Sequence, residues 1–429
     1  MEVKKIGLKI KFCLFLIFSV TICCSLGAVS AANSIHDVTI DDTNTVIEHP
    51  EANIQDSGIC NHLIKTDFTT IHEAVKGAIT SSLIYNKLTS SNQANIDQGT
   101  ADGSVQDSLI NNAITESDGS FIQQGVGLNG AVQNSMLYSA IENSFGSSLI
   151  QQGISGSVQN SVLYSLIKDS YGSSFIQQGI DGSVQNTMSN SIIENGYGTS
   201  MILQGISGSV ENSMLNSVIK DTKGSQLIEQ GISGSVQDSM LNNAITEFEG
   251  SSLILQGISG QVQNSLLDNA ITNFTGSAQI LQGVSGQVQH SLINNAVQDS
   301  EGSVLIQQGI SGIVQNCMIN NAVKNSTGTC TIQQGFAGDV IDCKLFNWIL
   351  GSENTTITQN NTLNTKINNS ALFSSDTSII ETNLNGVNAC VIAIGCDGFT
   401  KTIDNLANTN VFVLAVGNLV IFDEVFNLF

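Results

Sequence analysis

The chain has 429 residues, 14 of them basic and 36 acidic, for a formal charge of −22. All 14 basic residues are lysine, so the chain has neither the cationic footprint that binds nucleic acid nor the guanidinium forks that clamp phosphates. With 41% apolar and 12% charged residues it is too apolar and too weakly charged for a disordered chain.

At the N-terminus, Lys4, Lys5, Lys9 and Lys11 accompany an apolar run from Phe12 to Leu26, and Val29-Ser30-Ala31 offers small residues for cleavage. This is the layout of a secretory signal peptide over residues 1–31. Its removal takes four lysines and Glu2, leaving 10 basic against 35 acidic residues, or −25. No later stretch reads as a transmembrane helix, so the mature protein is expected outside the cell or on its surface. Cys13, Cys23 and Cys24 leave with the signal, and six cysteines remain.

Residues 32–80 read as an N-terminal segment ending in a cap. Over Asp67 to Val75, a threonine N-cap is followed by Glu73, and Ile71, Val75 and Ile79 fall on one stripe. That predicts a short capping helix.

Residues 81–350 carry a repeat. A Gln-Gly pair recurs with Gln at 98, 124, 152, 178, 204, 230, 256, 282, 308 and 334, a step of 26 from 152 onward. The step of 28 before it places a two-residue insertion at Val126 to Asn129. Each unit holds short alternating stretches, such as Leu-Ile-Gln-Gln and Ser-Val-Gln-Asn-Ser, broken by glycine and Asp/Asn. Such pieces read as strands and turns. One unit cannot bury its own apolar face, but stacked units can. The expectation is an all-β chain, a β-solenoid (parallel β-helix) of about ten 26-residue coils. Abundant Gly, Ser and Asn argue against a helical solenoid.

Like side chains then stack in columns. Valine stands two residues before a column of Asn134, Asn160, Asn186, Asn212, Asn264 and Asn316, with Asp or His290 in other units. The spacing predicts a shared face and an amide ladder, and the Gln-Gly glutamines are expected to do the same. His290 reads as a ladder member. Cys317 and Cys343 hold the next column, elsewhere Ser or Thr. One coil apart, they suit either a disulfide, whose Cα atoms lie about 4.4–6.8 Å apart, or two buried thiols. Cys390 and Cys396 are a second candidate pair. No CxxC pair or nearby histidine suggests a zinc site.

Beyond Gly351 the repeat decays, and residues 351–429 read as degenerate coils with an apolar C-terminal cap. Val411 to Val416 and Leu419 to Phe422 flank Gly417-Asn418, which reads as a hairpin. Five sequons, at Asn273, Asn325, Asn354, Asn360 and Asn368, are candidate glycosylation sites in an exported chain.

The stretch Asp67 to Val75, followed by coils with Val-x-Asn-Ser-x-Leu-x-Asn, resembles right-handed parallel β-helix proteins of the pectin-lyase-like class. With Asn/Ser-rich coils and an export signal, residues 65–350 are similar to adhesin-like surface proteins of methanogenic archaea. A second resemblance is to curlin repeats, which share I-x-Q-x-G-x-x-N. Here Ile176-Gln177-Gln178-Gly179 and the later Asn186 carry it.

Lyases of the pectin-lyase-like class resemble one another in using an arginine base, and no arginine is present. Asp181, Asp238, Asp268 and Asp299 fall in different columns or distant coils, and the five histidines are scattered. A residue copied in every coil is scaffold, because catalysis needs one special place. The expectation is a non-catalytic, cofactor-free structural or adhesive protein that presents Gln/Asn/Ser faces to cell-surface glycans or other copies of itself. The alternatives are a self-assembling, curli-like fibre or sheath subunit, and a polysaccharide-acting enzyme.

Overall fold

The computed structural model describes residues 33–40, 46–49, 54–55, 57–64, 70–73, 78–90, 92–98, 104–124, 131–152, 157–178, 183–204, 208–230, 233–257, 259–283, 285–309, 311–335, 338–416 and 420–424. The signal segment with its cysteines and the insertion at 126–129 lie outside the described residues.

The alternating pieces become strands, and every strand pairs in parallel with its counterpart one coil away. In the unit from Met240, one strand, Met240–Gln256, bends to form the first and second faces, and Gln261–Gln263 forms the third. In earlier units the bend interrupts it, as between Val162–Lys168 and Ser174–Gln178. Val184, Val210 and Val236 stack in register, as do Ile228, Ile254 and Ile280.

The chain is thus an all-β parallel solenoid, with about 12 turns of about 26 residues where the repeat predicted ten. The repeat fades in sequence before it fades in structure. Ser57–Ile64 already pairs with Leu83–Thr89, and Asn33–Ile40 pairs with Ser57–Ile64 below it. After Leu350 the coils continue at a shorter step: Asn347 stacks on Asn369, and Asn369 on Val391, each 22 residues on. Thr355–Leu363 explains the shortening. It pairs with both Cys330–Gln334 and Asp339–Ile341, so the second and third faces fuse: two residues stand between its two paired stretches where the coil before has five, and one more residue is lost ahead of Thr355.

Two local expectations are corrected. The described part of the predicted capping helix, Thr70–Glu73, is a strand paired with Val46–His49 and Asn92–Gln98. Ile71 is fully buried, and its strand lies between the two it pairs with in the stack. A β-branched Thr-Thr-Ile run suits that place, and tertiary pairing outweighs the helix-start signal. The predicted hairpin around Gly417-Asn418 is also absent. Asn410–Val416 pairs in parallel with Asn388–Ile394, and Val420–Glu424 with Phe399–Ala407. The apolar strands bond to the coil below instead of to each other.

Each coil turns through left-handed corners. Asn134, Asn160, Asn186 and Asn212 have φ of 48°, 49°, 49° and 47°, a region Asn and Asp enter more readily than other non-glycine residues. This corrects the shared-face reading of Val and Asn. Val184 points inward, whereas the left-handed turn throws Asn186 outward to solvent.

The interior has two apolar columns and a polar wall between them. Leu241 and Val262 belong to one column, Ile245 and Ile254 to the other. Between them, from opposite faces, project Asn243 and Gln256, both buried. Apolar area drives the stack, and hydrogen bonding must satisfy the wall.

Candidate functional site

The polar wall is a ladder of amides. From Gln124 to Gln359, each inward Gln of the Gln-Gly column donates Nε2 to the Oε1 of its counterpart one coil earlier, at 2.8–3.0 Å. A second row faces it. Asn243, Asn269, Asn295, Asn321 and Asn347 each donate Nδ2 to the next Oδ1 toward the C-terminus, at 2.8–3.0 Å. The same Nδ2 atoms reach across to the Gln row, as from Asn243 to Gln230 Oε1 at 2.8 Å. At Ser139, Ser165, Ser191 and Ser217 serine takes the place of asparagine, as with Ser165 donating to Gln152 Oε1 at 3.1 Å. A residue that every coil copies inside the protein is scaffold.

The Asn column read from the sequence lies outside. Asn134 donates to Asp107 at 3.1 Å, Asn160 to Asn134 at 3.2 Å, and Asn186 to Asn160 at 3.1 Å. Asn316 lies 3.4 Å from His290 Nε2. Asn212 and Asn264 hold the same exposed corner.

All six described cysteines are free thiols. Cys317 and Cys343 stand in for the corner serines. Ser239 accepts from Ser213 N and donates to Gln237 O. In the same way Cys317 Sγ accepts from Ser291 N at 3.5 Å and donates to Gln315 O at 3.1 Å. Cys317 N in turn donates to Cys343 Sγ at 3.4 Å. The Cys343 thiol is pushed up by its hydrogen bond to Cys317 and by burial. Cys390 is half-buried on the strand Asn388–Ile394, and Cys396 is buried just past its end in the same coil. Of the sequon residues, Asn273, Asn325, Asn354 and Asn368 are exposed. Asn360 is half-buried, and its Oδ1 accepts from Asn361 N, Thr382 and Asn383 at 2.9, 3.0 and 2.7 Å. Asn325 is tied to Asp299 at 2.8 Å.

The repeat did not reveal where the outer surface departs from uniformity. On the first face, one outward column runs Tyr138, Tyr164, Asn190, Asn216, Asn242, Asp268, Asn294, Asn320, Phe346. Beside it runs a column of Ala244, Ala270, Ala296 and Ala322 that ends at Trp348. The small alanines sink the surface into a groove of about 990 Å³ along the rod axis, with Val218 at one end and Phe346 and Trp348 at the other. Its alanine floor spans about 15 Å, three steps of about 4.8 Å. Trp348 is 42% exposed, so its ring is offered to whatever lies in the groove.

The amide column along the groove has a break. Asn242 donates to Asn216 at 2.9 Å, and Asn294 donates to Asp268 at 2.5 Å. Asp268 has no N–H to pass on, so Asn242 Oδ1, next to it in the column, finds no donor among the described residues. Two acceptors therefore meet at mid-groove. Further along, Tyr138 and Tyr164 stack with ring centroids 4.7 Å apart. Burial first, and the Glu194 charge second, push the Tyr164 phenol up to about 12, so it remains a neutral donor. Among the described residues no cluster of His, Cys, Asp and Glu has the makings of a metal site, and no helix is long and apolar enough to cross a membrane. No protein-family model matches the chain, and no curated protein matches it.

Proposed function

We propose that this protein is an exported, non-catalytic structural or adhesive solenoid that holds uncharged glycan chains in the groove of its first face. The carrying observation is the groove itself: an alanine floor, a column of amides beside it, and the exposed Trp348 ring at one end. An aromatic ring offers a flat apolar platform to the C–H face of a sugar, and the side-chain amides of Asn216, Asn294 and Asn320 along the groove can both donate to and accept from its hydroxyls. The strongly negative chain, without arginine, disfavours anionic polymers. The regular coil supports a structural role, because it presents the same surface at a fixed spacing over many turns. Export rests on the sequence of residues 1–31.

The test is binding of the purified chain to an array of neutral and anionic polysaccharides. Binding to a neutral glycan, with anionic ones left aside, is the expected result. No retention of any neutral glycan would defeat the reading.

Self-assembly is the second reading, favoured by one observation. The strand Asn410–Val416 pairs on one side only among the described residues. It exposes Phe412 at 60% and Val416 at 55%. An open apolar edge templates further pairing. Electron microscopy of purified protein separates the readings, since filaments support assembly and persistent single rods count against it.

A further inference from the structure

The inner polar wall ends in an arrangement found in no other coil among the described residues. In the column Gln308, Gln334, Gln359, the next member is Glu381. In the column Ile332, Ile357, Ile379, the next is Lys401. Lys401 Nζ lies 2.6 Å from Glu381 Oε2, and the two side chains are 1% and 0% exposed. The other carboxylate oxygen, Oε1, accepts from Asn369 Nδ2 at 2.9 Å. Asn369 is itself fully buried, and its Oδ1 accepts from Asn347 Nδ2 at 2.8 Å. One carboxylate thus bridges an amine and a carboxamide, and an N–H polarises the carbonyl of that carboxamide.

This is a costly way to build a core. Ile379, Ala371, Ala393 and Phe399 pack around the site in the apolar column. Beyond their mutual contact, neither Glu381 Oε2 nor Lys401 Nζ has a hydrogen-bond partner among the described residues. An isolated ion pair taken from water rarely recovers its desolvation cost, and apolar replacements commonly serve stability as well or better. Burial also lowers the Lys401 amine from the ordinary lysine value, against the pull of Glu381. Once it has passed a proton to Glu381, the amine is a nucleophile.

We infer that Lys401 and Asn369 are joined by an intramolecular isopeptide bond, formed by aminolysis of the Asn369 carboxamide with Glu381 as the proton carrier. Lys401 gives one proton to Glu381, and the freed Nζ lone pair attacks Asn369 Cγ. Negative charge developing on Oδ1 is met by Asn347 Nδ2, as in an oxyanion hole. Glu381 passes its proton to Nδ2 and takes the second proton from Nζ. The Cγ–Nδ2 bond breaks, and its electron pair leaves with ammonia. The products are a secondary amide, one ammonia and a protonated Glu381, with no oxidant or energy source required. Neutral groups replace the buried charges, and the coil bearing Asn369 is tied covalently to the next. Fixed proximity substitutes for an external enzyme.

The chain supplies a clean assay, because Lys401 is the only lysine after Lys366. Cleavage of purified, denatured protein after lysine should leave residues 367–429 as one fragment, lighter by one ammonia, with tandem spectra joining Asn369 to Lys401. Separate fragments 367–401 and 402–429 would overturn the proposal, as would an uncut fragment of full mass. Loss of ammonia with normal cleavage at Lys401 would mean cyclisation of an asparagine and would overturn it equally. In Lys401→Met the 367–429 fragment should carry no ammonia deficit. In Glu381→Gln both fragments should appear at full mass, and a bond that still forms there would remove Glu381 from the mechanism. The wild-type fragment decides the bond even where a variant fails to fold.

Discussion

Gln256 Nε2 donates to Gln230 Oε1 at 3.0 Å, one coil away, and both amides are buried. The bond is one rung of a row in which each member is donor and acceptor at once. Gln256→Leu therefore strands its neighbour, because Gln282 Nε2 loses its 2.8 Å acceptor inside the protein. The expected cost is about 1–3 kcal/mol for the orphaned group, read as a lower urea midpoint with unchanged slope. Gln263→Ala, on the exposed third face, should stay within about 0.5 kcal/mol.

Stacked glycines set a harder limit at the corner after the first face. A Cβ on Gly250 would stand 2.0 Å from the Gly224 carbonyl oxygen, at a φ of +131°. Gly250→Ala must move backbone, and is expected to cost at least about 3 kcal/mol. Gly119 has a φ of +72° and open space around its Cβ position. Gly119→Ala should cost only the left-handed penalty, about 1–2 kcal/mol. Thermal unfolding of the two variants side by side checks the difference.

The groove makes a prediction about binding without folding. Trp348 and Ala296 both point outward from the first face. Trp348→Ala should weaken neutral-glycan binding about tenfold, ~1.4 kcal/mol, and Ala296→Phe should fill the floor with a similar loss. Far-ultraviolet circular dichroism of both should match the parent. Unchanged affinity in both would move the binding surface elsewhere.

Alkaline pH should loosen the rod through its thiols. Burial pushes the Cys330 thiol up to about 12, whereas an unfolded cysteine titrates near ~8.5. Between those values the unfolded state has released a proton that the folded state keeps. Stability is therefore fully present below about pH 8.5 and declines as pH rises toward 12. Tyr164, also raised to about 12 by burial, adds to the decline above pH ~10. Cys330→Val restores the residue of the coil below, Val304, and should flatten part of the loss. Urea midpoints at neutral and alkaline pH measure it.

The repeat made most of the scaffold legible, because translation along the stack is a property of the sequence itself. The Gln row could be assigned to a ladder on that ground. The Asn row could not be placed on its correct side, since alternation counts residues and does not see a left-handed corner. The signal was present: a position that accepts Asn, Asp and His290 but no aliphatic residue is the signature of positive φ. Thr70 and Ile71 were misread because a helix start is a local pattern, while the edge that recruits them belongs to Asn95 and Ile96. Lys401 and Glu381 stayed hidden because the step changes from 26 to 22 before them. Only in the shorter register does Glu381 fall in the Gln column and Lys401 in the Ile column. The groove, too, depends on a side-by-side comparison of outward residues, where Ala322 gives way to Trp348.

The two inner rows run in opposite senses. Every Gln amide points its N–H toward the N-terminal end, and from Asn243 to Asn347 the Asn amides point theirs toward the other. Paired antiparallel dipoles cancel locally. Duplicating one of these asparagine-bearing units would thus lengthen the rod without adding to a side-chain field at its tips, whereas each added serine-bearing unit would leave its Gln dipole uncancelled.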